Sequence, residues 1–86
     1  MRKSQSKILS KPLRSELQAT FVALLKDARL KAGLTQASVA QALGKPQSFV
    51  AKYEGSERRL DVIEFIAVAK AIGLDPARVI RELGKA

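Results

Sequence analysis

The sequence predicts an all-α protein, a compact bundle of five helices within 86 residues. Apolar residues recur at helical spacing in several stretches. Glycines and prolines flank these stretches where helices end and begin, and no segment alternates as a strand does. At this length the chain forms one domain. We assign residues 12–84 to it and residues 1–11 to a flexible basic arm.

The first predicted helix is the longest. It runs from about Pro12 or Ser15 to Ala32, and Gly33 ends it because glycine adopts positive φ without steric cost. Its apolar residues fall on one face and indicate an amphipathic helix: Leu13, Leu17, Phe21, Leu24, Leu25 and Ala28.

Residues 35–54 read as two short helices joined by a tight turn. Thr35 is a good N-cap, because its hydroxyl can accept a bond from a free N–H of the first turn. Gly44 ends the first helix, and Pro46 stands where the second begins. This pattern is typical of a helix-turn-helix.

Two further helices follow a polar loop. Asp61 and Glu64 fit a capping box that opens a helix ending at Gly73, apolar on nearly every face and therefore expected to be the most buried. Asp75 and Pro76 open the last helix.

The last helix carries more apolar residues than one inner face can hold. Val79 and Ile80 lie about 100° apart, so they cannot both point inward together with Leu83. One of the three is a candidate subunit contact, although all of them could instead fill the core under the first helix.

The chain is strongly basic. Sixteen Lys and Arg against eight Asp and Glu give a net charge of +8, which favours a polyanionic partner such as nucleic acid or an anionic membrane surface. Ordinary solubility is the alternative. The arm could follow phosphates or enter a minor groove, or simply be a solubilising tail, while Ile8 and Leu9 could pack on a partner subunit.

Composition excludes several functions. The absence of Cys and His removes disulfides, thiol nucleophiles, imidazole chemistry and Cys or His metal sites. The acidic residues look like caps and surface charges, so we expect neither an enzyme nor a cofactor. No apolar run reaches the length of a membrane span and no secretory signal is evident, so a cytoplasmic protein is expected.

The segment from Leu17 to Leu83 resembles the Xre/Cro/CI-type, or lambda-repressor-like, helix-turn-helix. The features that carry the resemblance are in register: Arg29, Gly33, Thr35, Gln36, Val39, Ala40, Leu43, Gly44, Val50, Tyr53, Glu54 and the segment 60–72. Members of this family are small DNA-binding regulators, so the resemblance implies a transcriptional regulator that binds double-stranded DNA.

The resemblance implies that the third helix, about residues 46–54, reads bases through Gln47, Ser48 and Lys52. Chemistry agrees, since Gln can bond adenine, Lys can donate to guanine, and Ser is permissive. Ala51 is a secondary candidate for a thymine methyl, and Lys45 for a phosphate. A plain solvated helix face is the alternative.

Gln36 matches a position that bonds the DNA backbone in the similar repressors, and it lies at a helix N-terminus, which attracts phosphate. Arg58 and Arg59 could reach a neighbouring phosphate, although an ordinary charged loop is nearly as good an interpretation. Arg29 and Glu54 form, in the family pattern, an ion pair between the first and third helices, with a structural role.

We therefore expect a sequence-specific DNA-binding regulator, a repressor that acts as a homodimer. Two such domains on half-sites about 34–36 Å apart bind more tightly and more specifically than one. The alternative is a protein-interaction module, such as an antitoxin or adaptor. Another regulatory protein is a further candidate partner, since no ligand-binding domain is evident.

Overall fold

The computed structural model describes residues 8–85, and this range contains five α-helices and no strand. They are α1 (Lys11–Lys31), α2 (Gln36–Leu43), α3 (Gln47–Glu54), α4 (Val62–Ile72) and α5 (Pro76–Gly84). The predicted all-α architecture is confirmed. None of the helices in the described range is long and apolar enough to cross a membrane.

Local sequence signals place most of the helix ends. The Thr35 hydroxyl accepts the Ser38 N–H at 3.0 Å, and the Ser38 hydroxyl accepts the Thr35 N–H at 3.0 Å, which closes a capping box. Gly44 ends α2 with φ 70° and Gly73 ends α4 with φ 82°. Both glycines adopt the left-handed conformation that satisfies the last carbonyls of a helix.

The first helix begins slightly earlier than predicted. The Ser10 hydroxyl accepts the Leu13 N–H at 3.3 Å and caps α1, so the helix starts at Lys11 rather than at Pro12 or Ser15. Of the predicted arm, residues 1–7 lie outside the described residues. Ile8 and Leu9 are 69% and 65% exposed.

The core lies where α1, α4 and α5 close over the α2–α3 pair. Phe21 of α1 meets Phe65 of α4 edge to face, with ring centroids 5.1 Å apart, a favoured aromatic arrangement. The buried hydrophobic cluster comprises Leu25, Val39, Ala40, Val50, Tyr53, Phe65, Val68, Ala69, Ile72 and Val79. Each of the five helices contributes to it, so the pose of α3 depends on all the others.

Helix α4 has the most buried residues of the five described helices, as predicted, but its first turn is exposed. Phe65, Val68, Ala69 and Ile72 are buried, but Val62 and Ile63 in the first turn are 71% and 74% exposed. The physical reason is that a helix crossing a small bundle has neighbours along only part of its length.

The apolar residues of α5 divide as their spacing requires. Val79 is buried at 3% exposure, Leu83 is half-buried, and Ile80 is 56% exposed. Ile80 is therefore the residue of this set that points away from the core.

Candidate nucleic-acid interface

Helix α3 has one buried face and one exposed polar face. Val50 and Tyr53, with exposures of 0% and 1%, anchor it in the core. Because residues advance by about 100° around a helix, this leaves the other side in solvent, where Gln47, Ser48, Ala51 and Lys52 are all exposed. The four candidate base-reading residues thus lie on an accessible surface of a short helix.

The start of α3 differs from that of the other helices. Pro46 occupies the N-cap position, and its side chain makes no capping hydrogen bond. The helix proper begins at Gln47. Proline pre-sets the backbone for a helix but offers no oxygen to the free N–H groups, so contacts with neighbouring helices must hold this first turn.

Arg29 and Glu54 join α1 to the C-terminal end of α3. Arg29 Nε donates to Glu54 Oε2 at 2.7 Å and Nη2 donates to Oε1 at 3.1 Å, while Nη1 donates to the Leu34 carbonyl at 2.8 Å. The two side chains are only 8% and 3% exposed. The hydrogen bond and charge of Glu54 raise the pKa of Arg29 above its usual value. The pair that the resemblance implies is therefore present as a bidentate, nearly buried ion pair.

A chain of side-chain amides extends this ion pair to the exposed surface. Gln36 Nε2 donates a hydrogen bond to Glu54 Oε1 at 3.1 Å. Gln47 Nε2 in turn donates to Gln36 Oε1 at 3.4 Å. The first residue of α2 and the first residue of α3 are thus adjacent. Both residues were predicted to contact DNA, but the hydrogen bond between them was not predicted, because residue spacing alone does not reveal it.

Arg58 lies in an ion pair rather than free in a loop. Its Nη2 donates to Glu64 Oε2 at 2.7 Å, and its Nη1 donates to Glu64 Oε1 at 3.0 Å and to the Arg59 carbonyl at 2.9 Å. The hydrogen bond to Glu64 raises the pKa of Arg58, and the same bond lowers the pKa of Glu64 to about 2. Arg58 Cζ also lies 4.6 Å from the centroid of the Phe49 ring.

The other candidate phosphate-binding residues are accessible. Lys45 is exposed, with Nζ 5.6 Å from the Phe49 ring centroid. Arg59 is exposed and lines a pocket of about 230 Å³ with Arg14, Ser15 and Ser56. Arg14 was missed as a candidate, because it is far from Arg59 in sequence and only the packing of α1 on the loop brings them together.

No group of three or more acidic side chains suited to a metal ion occurs within residues 8–85. The basic groups named above are instead the donors that phosphate oxygens prefer.

Residues 25–79 match the family model described as "Helix-turn-helix". A solved XRE-family like protein from Pseudomonas syringae pv. tomato str. DC3000 is 43% identical, with a TM-score of 0.85, and the match covers 88% of this chain and 93% of that one. The chain belongs to the XRE family of helix-turn-helix proteins. This membership supports a DNA-binding transcriptional regulator.

Two more distant structures share the fold. The clp gene regulator ClgR from C. glutamicum is 22% identical, with a TM-score of 0.71, over 80% of this chain and 90% of that one. The restriction-modification controller protein C.AhdI from Aeromonas hydrophila is 24% identical, with a TM-score of 0.66, over 72% and 94%. No curated protein matches the sequence.

Proposed function

We propose that this XRE-family protein is a sequence-specific transcriptional repressor that binds double-stranded DNA as a homodimer. In this proposal α3 enters the major groove, which is wide enough for a helix. The observation that carries the proposal is the exposed polar face of α3, formed by Gln47, Ser48 and Lys52 opposite the buried Val50 and Tyr53.

The proposed base contacts follow from side-chain chemistry. Gln47 would bond an adenine edge and Lys52 a guanine, while Ser48 adapts to either and Ala51 meets a thymine methyl. The bond from Gln47 to Gln36 restricts the Gln47 amide before DNA arrives. Less conformational freedom is then lost on binding.

The proposed phosphate contacts flank this face. Gln36 lies in the first turn of α2, where free backbone N–H groups attract anions. Lys45 precedes α3, and Arg59 follows it with Arg14 nearby. Such contacts set the register of the protein on DNA, and base contacts add the specificity.

The proposed dimer forms through an apolar groove of about 280 Å³ between the starts of α1 and α4 and the helix α5. Leu9, Val62 and Ile80, three of the large hydrophobic residues that are exposed, line it. Two copies of a chain with a net charge of +8 repel each other. An apolar surface is therefore favoured as the interface, because it brings few of the basic side chains of the two copies together. Arg14 and Asp61 also line the groove, so it carries one charge of each sign, and each could pair with the opposite charge of a second copy.

Selection of bound sequences from a random duplex pool tests DNA reading. We expect enrichment of a palindromic site, and we expect Gln47→Ala and Lys52→Ala each to weaken binding to it by about 5- to 150-fold, the range of one good base contact. Lys70→Ala, which removes an exposed lysine from α4, serves as the control. If Gln47→Ala and Lys52→Ala bind the enriched site as tightly as the wild type, α3 does not read it.

Sedimentation equilibrium tests the dimer. Ile80→Lys should give a monomer with much weaker operator binding, whereas Leu30→Lys should remain dimeric. The two side chains are matched, since each is 56% exposed, and Leu30 does not line the groove. A dimer that survives Ile80→Lys contradicts the proposed interface.

A reporter gene with the enriched site in its promoter tests repression. Expression should fall when the protein is produced, because a dimer on the operator obstructs transcription. If instead the wild type enriches no sequence from the pool but captures a protein partner that Gln47→Ala also captures, the interaction-module alternative replaces this proposal.

A further inference from the structure

The contacts of Arg58 point to a role other than phosphate binding. Its guanidinium lies over the Phe49 ring at 4.6 Å and is held by both carboxylate oxygens of Glu64. Phe49 belongs to α3 and Glu64 to α4. We call these three residues the Arg58 clamp. It links the N-terminal half of α3 to the first turn of α4 through a loop residue.

The clamp lies at the end of α3 that has no side-chain cap. The C-terminal end of α3 is fixed by the Arg29–Glu54 ion pair, but Pro46 provides no side-chain cap at the N-terminal end. Phe49 is half-buried, so the core covers only part of its ring. A planar guanidinium on the exposed part of the ring adds both contact area and a cation–π attraction.

Glu64 holds the guanidinium in this position. Its Oε1 also accepts the Asp61 N–H at 3.0 Å, and the Asp61 carboxylate accepts the Glu64 N–H at 2.7 Å. The carboxylate is therefore fixed by the capping box of α4 before it meets Arg58. A bidentate bond to a fixed carboxylate fixes the plane of the guanidinium as well.

We propose that Arg58 is a positioning residue, which acts through Phe49 to hold the first turn of α3, with Gln47 and Ser48, in the pose that reads bases. This inference rests on the proposed function. Because Glu64 neutralises Arg58 and occupies two of its donor nitrogens, the clamp adds little net charge for a phosphate to recognise.

The variant Glu64→Gln distinguishes phosphate binding by Arg58 from positioning by Arg58, because the two roles predict opposite changes in operator affinity. Glutamine keeps an oxygen that can accept the Asp61 N–H, so the capping box survives, but it releases the charged hold on Arg58. A phosphate-binding Arg58 would then be freed, and operator affinity would rise. A positioning Arg58 would be lost from Phe49, and operator affinity would fall.

The experiment measures binding of the enriched operator and of an unrelated duplex at several salt concentrations. We expect Glu64→Gln and Arg58→Gln each to lower operator affinity at least about fivefold, the least that one base contact contributes. Binding of the unrelated duplex should not fall with Glu64→Gln. The control is Glu82→Gln, which removes the same charge from an exposed pair with Lys85 and should leave the ratio of the two affinities unchanged.

Arg58→Lys sharpens the test, because lysine keeps the charge but loses the planar fork. It should resemble Arg58→Gln in operator affinity. An unchanged or higher operator affinity for Glu64→Gln overturns the proposal. So does a fall of about 0.9 in the slope of log affinity against log salt for Arg58→Gln, the signature of one lost phosphate contact.

A measurement without DNA tests the clamp separately from the proposed function. In the NMR spectrum of the free protein, Glu64→Gln should shift the Phe49 ring signals and the backbone amide signals of Gln47 and Ser48, whereas Glu82→Gln should shift neither set. Unmoved ring signals overturn the clamp even if the protein binds its operator. A shifted ring in a protein that prefers no DNA sequence supports the clamp and rejects the proposed function.

Discussion

The Arg29–Glu54 ion pair offers the sharpest test of how α3 is held. Arg29→Met keeps most of the side-chain length and apolar volume but removes the guanidinium. The Glu54 carboxylate, whose side chain is 3% exposed, then keeps the Gln36 amide as its one side-chain partner among residues 8–85. The Leu34 carbonyl loses the bond from Arg29 as well.

The expected cost is large for a protein of this size. Breaking a buried pair by removing one partner costs about 3–5 kcal/mol, because an uncompensated charge stays buried. A domain of this length has roughly 4–13 kcal/mol of stability in total. Arg29→Met should therefore lower Tm by more than about 10 °C.

The free energy of unfolding is measured by urea denaturation for the four members of a double-mutant cycle: the wild type, Arg29→Met, Glu54→Leu and the double variant. The variant Arg29→Met/Glu54→Leu leaves no charge buried, so it should recover much of the loss, apart from the unpaired Leu34 carbonyl. Lys31→Met is the matched control, since it breaks an ion pair with Asp27 on the same helix whose side chains are 78% and 61% exposed. It should cost less than about 0.5 kcal/mol.

Two results would refute this reasoning. One is a cost for Arg29→Met of about 1 kcal/mol or less, comparable to that of Lys31→Met. The other is additivity, with the double variant as unstable as the sum of the two single ones, because additive effects would mean that the two residues do not act as a pair.

Three further outcomes are expected. Burial raises the pKa of Tyr53 to about 12, so the unfolded chain loses the tyrosine proton at a lower pH than the folded protein does. The free energy of unfolding should therefore fall by roughly 2 kcal/mol as pH rises from 10 to 12; Tyr53→Phe should remove this part of the fall in urea titrations at several pH values. The pKa of Glu64 is about 2, so its contribution is complete above pH 4.5 and lost as pH falls towards 2; Glu64→Gln should flatten this acid limb of the stability curve. Gly44→Ala, at φ 70° with open space around the new Cβ, should cost about 1–2 kcal/mol from backbone strain alone, and a smaller loss of Tm than Arg29→Met would confirm it.

The sequence located the helices because their ends are encoded by neighbouring residues. Thr35, Asp61 and Asp75 cap helices through bonds to residues two or three positions away. Gly44 and Gly73 end helices through their own backbone freedom. Interactions over such short distances along the chain depend little on the rest of the fold, so they can be predicted from the printed order of residues.

Burial was predicted less well, because it depends on what lies opposite a residue. Val62 and Phe65 are both apolar and lie on one helix, yet one is 71% exposed and the other 5%. Helical spacing tells which residues share a face. It does not tell how far along the helix its neighbours extend.

The exposed face of α3 was predicted from sequence, as Gln47, Ser48 and Lys52 are polar while Val50 and Tyr53 on the same helix are apolar. The partners of charged and amide side chains were not. In the sequence Arg58 looks like an unpaired basic residue. Its contacts with Phe49 and Glu64 form only when the loop has folded. Gln36 and Gln47 likewise meet only after α2 and α3 have packed.

The sequence by itself thus determined the five helices, the helix-turn-helix and the polar face of its second helix. Tertiary structure alone decided which charges are neutralised within the protein and which apolar residues remain in solvent. The physical reason is that caps and periodicity act through local geometry. A charged side chain can reach several partners, and the choice among them is fixed only when distant segments have packed together.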